Sequence, residues 1–162
     1  METLSIEEAT RRLRADHELL LTRVEGRGEE ELTAEYRVDS GPLGDFCASL
    51  HDLVAHVLMW DEINLAVLSE AAAGRAHWSL DARWETPDAG RILNRAGVEA
   101  GREIPSELLL HRLGAVHDAV LAEFGRIEPS GAALAQRVWT VPGRPAYWHA
   151  AIHLGRLPEA SS

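Results

Sequence analysis

Apolar residues recur at helical spacing along most of the chain. Ile6, Ala9, Leu13, Leu20 and Val24 fall on one face, behind the capping-box pair Ser5 and Glu8 and ahead of Gly26 and Gly28. This pattern predicts a first helix over about 6–25. Residues 26–48 hold Gly26, Gly28, Gly41, Pro42 and Gly44 and read as a long loop with a short turn at 29–34. Ser49 opens a second capping signal, and the breaker-free run up to Gly74 predicts a long helix over about 50–73.

Residues 75–87 contain Trp78 and Trp84 but no period, and a shorter, glycine-weakened helix is expected over about 88–102. Pro105 and Ser106 open a strongly periodic helix over about 106–127, broken by Pro129-Ser130-Gly131. Pro145 sits at a first-turn position and Pro158 closes the run, so the last helix is expected over about 145–156. Nothing alternates with period two. The expected fold is all-α: a four-helix bundle with one additional short helix between the second and third main helices. Residues 1–162 read as one domain without internal repeats.

Composition narrows the function. The formal net charge is −10 and all 16 basic residues are arginine, with no basic cluster, which argues against a nucleic-acid partner. The single cysteine, Cys47, excludes an internal disulfide framework and reads as a buried thiol. The first ten residues show no charged-then-apolar leader, and no apolar run approaches the roughly 18 residues of a membrane span. A cytoplasmic protein without a membrane contact is expected.

The chemistry is concentrated in eight histidines. His149 and His153, in "HAAIH", are four residues apart, which puts both imidazoles on one helix face at a separation one divalent cation can bridge. The spacing alone is equally that of two core histidines. A third ligand must come from another helix. His56 lies in the stripe of Leu53, Val57, Trp60, Asn64, Val67 and Leu68, whereas His51 is rotated off it near the helix start, where solvent is expected. His56 is therefore the better candidate. Asp52, one turn earlier, can either orient an imidazole or complete a capping box. Of Asp61 and Glu62, one could act as a general base, although acids on a helix are ordinarily exposed. His117 reads as a core histidine and His17 as a solvated one.

The stretch "SLHDLVAHVLMWDEINLAVLSEAAAGR" resembles the second main helix of the ClbS/DfsB family, a branch of the DinB-like four-helix-bundle superfamily. "PDAGRILNRAG" is similar to that family's intervening segment, "ELLLHRL" to its third main helix and "HAAIH" to its closing one, so the resemblance spans about residues 5–156. It implies a divalent ion held by His56, His149 and His153, and a short helix that brings Asn94 over the site. It also implies a small-molecule enzyme. One branch comprises self-resistance hydrolases that open an electrophilic ring without this histidine set. The other comprises metal-dependent transferases and isomerases that use mycothiol or bacillithiol. Here helix 2 is of the first type and the histidines are of the second.

Three imidazoles leave coordination positions open for water or thiolate, and they suit several metals, with Zn or Ni placed first. Trp60, Asn64, Trp84, Asn94 and Trp148 are the expected pocket residues, with His77 and Trp78 in its roof; Asp52 and Glu62 are weak catalytic candidates. Scattered arginines (Arg75, Arg83, Arg91, Arg95) would suit an anionic thiol cofactor or plain surface equally. A non-catalytic ligand-binding bundle, or a homodimer formed through the helices, are the remaining expectations.

Overall fold

The computed structural model describes residues 4–38, 46–127, 132, 135 and 148–156, and these residues form an all-α structure. Its helices are α1 (Ile6–Val24), α2 (Glu29–Thr33), α3 (Leu50–Ala72), α4 (Pro87–Gly101), α5 (Ser106–Phe124) and α6 (His149–His153). Two single 3-10 turns, Trp78–Leu80 and Ala82–Trp84, occupy the aperiodic tryptophan segment. The turn expected at 29–34 is the short α2. The only β-pairing among the described residues is a lone bridge between Glu35 and Ser49.

Local chemistry places the helix starts. Ser5 Oγ accepts from the Glu8 amide (3.1 Å), Ser49 Oγ from the Asp52 amide (3.0 Å) and Thr86 Oγ1 from the Ala89 amide (3.2 Å). Each bond satisfies a donor that the helix itself leaves open. Pro87, with its preset φ, occupies the first turn of α4.

The central element is α3, which packs on α5 and α4 most extensively and also meets α2 and α6. Its first half, from Leu50 to Leu58, is buried on every side. Tight glycine contact lets α4 approach: a Cβ at Gly101 would stand 2.2 Å from the Ala55 Cβ. Only a hydrogen fits there, which outweighs the usual cost of glycine in a helix.

His51 was expected in solvent but is buried, because α4 and α5 close over the start of α3. Its Nε2 lies 3.0 Å from the Gly101 carbonyl and its Nδ1 2.7 Å from Ser106 Oγ. A carbonyl only accepts, so Nε2 carries the proton and Ser106 donates to Nδ1.

Two apolar clusters fill the interior. One joins Leu20 and Val24 of α1, residues from Leu50 to Leu58 of α3, Leu109 and Leu113 of α5, and Ala150 of α6. The other joins Ala9 and Leu13, Val67, Leu68 and Ala71, Val120 and Phe124. Along α1, α3 and α5 the buried positions between the clusters are, Trp60 apart, polar: Asp16, then Asp61 and Asn64, then His117. A polar layer thus crosses the bundle at mid-height.

Within the described residues, the last helix is shorter than its pattern suggested. Trp148, expected inside it, precedes it with φ +61°, and Gly155 at φ +61° follows it. The expected start at Pro145 and the stop at Pro158 lie outside the described residues.

Candidate metal centre

His56 projects from the buried stripe of α3, and His149 and His153 from one face of α6. The His56 Nε2 lies 3.0 Å from His149 Nε2 and 3.2 Å from His153 Nε2. One nitrogen from each of the three falls within 4.8 Å of the others. Two nitrogens on one ion at about 2.1 Å stand about 3.0 Å apart at a right angle and about 3.4 Å apart at the tetrahedral angle. Both separations from His56 lie in that interval, which a single divalent cation can span. His56 and His149 are buried and His153 is half-buried.

The electrostatics favour lone pairs over protons. Burial, with the neighbouring His153, pushes the His56 imidazole down to about 3. Burial and the other two rings hold His149 well below the ordinary imidazole range. Both are neutral at physiological pH, the state a metal requires. The Nδ1 atoms of His56 and His149 have no hydrogen-bond partner among the described residues.

A buried acid outside the apolar pattern of α1 lies against the start of α6. Asp16 of α1 is buried, and its Oδ2 and Oδ1 accept from the backbone amides of Ala150 (3.0 Å) and Ala151 (2.8 Å). The His149 amide, at the first position of α6, adds to the electrostatic pull on this carboxyl. Burial pushes Asp16 up to about 6, against the opposing pull of those three amides. A signal was present in the apolar series of α1, whose gap between Leu13 and Leu20 falls at Asp16.

Asp61, expected with Glu62 to be either a general base or an exposed acid, is buried, and its charged neighbours Asp16 and Glu62 are both acids. Desolvation, reinforced by those acids, pushes its carboxyl up to about 8.

The weak catalytic candidates are engaged elsewhere. The Asp52 carboxylate takes Arg102 Nε on Oδ1 (3.0 Å) and Arg102 Nη2 on Oδ2 (2.9 Å). Its Oδ2 also accepts from the Ala48 amide (3.0 Å). It ties the approach to α3 onto the end of α4 and orients no imidazole among the described residues. Glu62 is ion-paired with Arg112 of α5 and lines a shallow groove with Ala55, Met59 and Gly97. That groove follows the α4 and α5 side of α3, on a different face from His56.

The pocket residues divide. Trp60 Nε1 donates to Asn94 Oδ1 at 2.6 Å, so α4 does bring Asn94 onto α3 one turn beyond His56. Asn64 is 1 % exposed, and neither its amide nitrogen nor its oxygen has a partner among the described residues. Trp148 is half-buried next to His149. Trp84, by contrast, is exposed, packed edge-on against Trp78 and covered by Arg83. The two local 3-10 turns bring these tryptophans together at the surface, and no described contact brings them to the histidines.

His17, expected to be solvated, is half-buried and stacked on His117 at 3.8 Å between ring centroids. Burial pushes the His117 ring down to about 4. The Cys47 thiol is buried and pushed up to about 12 by desolvation and Asp52, so it is inert as a nucleophile. No helix among the described residues is long and apolar enough to cross a membrane. No protein-family model, curated protein or solved structure matches the chain.

Proposed function

We propose that this chain is a metal-dependent small-molecule enzyme of the DinB-like, ClbS/DfsB type, acting as a hydrolase on an electrophilic metabolite. The observation that carries this reading is the convergence of three imidazole nitrogens from two helices on one point, with His56 Nε2 3.0 and 3.2 Å from its partners. A long helix bearing His56, an inserted α4 carrying Asn94 and a final helix bearing the histidine pair agree with a DinB-like order of elements. Zn or Ni is the first expectation for the ion.

When bound, such an ion lowers the pKa of a coordinated water or thiol, yielding a nucleophile near neutral pH, and polarises an electrophilic substrate. The chain's own residues supply the rest. His56 and His149 offer neutral lone pairs because burial opposes their protonation, and His153 completes the donor set. Trp60 and Asn94, joined across α3 and α4, form the wall beyond His56, with a flat apolar face and an amide to orient substrate. Asn64 adds, deeper on α3, an amide that is unpaired among the described residues.

The test is elemental analysis of protein purified without chelator, beside a His149→Ala/His153→Ala variant. About one divalent ion per wild-type chain, lost in the variant, is expected. Substoichiometric metal in both refutes the histidine site. Turnover of a model epoxide by the loaded protein, with and without mycothiol or bacillithiol, then separates hydrolysis from thiol transfer. Turnover only with the thiol assigns the transferase chemistry instead.

A further inference from the structure

We infer that Asp16 is the positioning residue of the histidine centre: from α1 it caps α6 and thereby holds His149 and His153 against His56. The inference rests on the metal-binding reading of those histidines and deepens it.

α6 has five residues, far below the length at which a helix sustains itself in water. Its own N-cap is ineffective, because Trp148 is in the left-handed region and makes no side-chain cap bond. The orphan amides at its start must therefore be satisfied from outside. Asp16 does this with both carboxylate oxygens, at 3.0 Å to Ala150 and 2.8 Å to Ala151. A negative group at a helix start also meets the favourable end of the backbone dipoles.

The carboxylate thus takes the role of an N-cap residue supplied from 133 residues away, as the sequence separation of 16 and 149 requires. It is fixed in turn by its own helix. Asp16 lies on the buried face of α1 with Leu13 and Leu20, and α1 is the element against which α6 packs most extensively. His56 comes from α3, so α1 sets the α6 histidines relative to a ligand on a third element.

Cobalt(II) is the probe, because its absorption reports coordination geometry. Asp16→Ala should weaken Co(II) binding by about 10- to 100-fold, the range for groups that orient metal ligands, and change the visible spectrum of what still binds. Asp16→Asn, which keeps one carbonyl acceptor, should recover part of that loss. Phe124→Leu, a core change in the other apolar cluster, serves as a control of comparable thermal destabilisation and should leave affinity and spectrum unchanged.

Affinity of Asp16→Ala within about threefold of wild type overturns the inference, since the expected range begins at about 10-fold. An equal loss in Phe124→Leu also overturns it, because the effect would then be general loosening. If wild-type protein binds no Co(II), Zn or Ni, the metal reading falls and this inference with it. Wild type that binds while Asp16→Ala matches it removes the inference alone.

Discussion

Replacing Asp61 with asparagine should stabilise the protein increasingly as pH rises. An unfolded aspartate ionises near pH 3.9, whereas burial and two acidic neighbours push this one up to about 8. Between those values the folded chain keeps a proton that the unfolded chain has released. The unfolded state then binds fewer protons, and stability falls as pH rises, by about 1.4 kcal/mol per pH unit. A raised carboxyl pKa thus contributes its full stability below about pH 4 and loses it on passing through about pH 8. The ceiling over that window is on the order of 5 kcal/mol.

Asp16, itself pushed up to about 6, interacts with Asp61, so the pair titrates together and the loss is spread over its window. Asparagine keeps the shape and does not titrate. Urea unfolding of both proteins at about pH 5, 6.5 and 8 measures the effect. The advantage of Asp61→Asn over wild type should grow by more than about 2 kcal/mol between the first pH and the last. An advantage that stays flat refutes the argument that the folded interior holds this carboxyl protonated.

Two further outcomes follow from packing and charge. Gly101→Ala drives a methyl to 2.2 Å from the Ala55 Cβ and should cost about 1–3 kcal/mol in urea unfolding. Gly90→Ala, in the same helix with no atom within 4 Å of the added carbon, should gain about 0.5–1 kcal/mol. Because the folded His56 pKa is depressed to about 3, the stability from its neutral form is present above about pH 6.5 and lost only as pH falls toward that lower value. Zn or Ni affinity, read by equilibrium dialysis, should therefore fall between about pH 7.5 and about pH 5.5 by no more than the protonation of one imidazole gives; a loss with the slope of two or three protons would contradict neutral His56 and His149.

Helix existence was a local property and so was legible in the chain. Ser5, Ser49 and Thr86 cap within four residues of their own position, and the periods of α1, α3 and α5 extend over several turns. The pairing of His56 with His149 and His153 was legible for a related reason: stripe position predicts which face turns inward. Burial off the stripe was not. His51 and Asp61 were assigned to solvent because a helix was pictured with one covered face, yet α3 is enclosed by α2, α4, α5 and α6. Coverage depends on how many neighbours surround a helix, which no single segment encodes.

The same limit applied to acids. Asp52 pointed to a capping role by its place after Ser49, but its commitment to Arg102 needed the end of α4 to arrive beside it. Trp84 looked like pocket lining because it is large and apolar, and tertiary packing left it paired with Trp78 at the surface. Sequence alone determined the helices, their caps and the three histidines most suited to share an ion. Only the tertiary structure decided that Asp16, on the first helix, closes the start of the last one. A cap within a helix is a matter of a few residues of chain, but a cap between helices exists only once packing has brought a buried carboxylate against two unsatisfied amides.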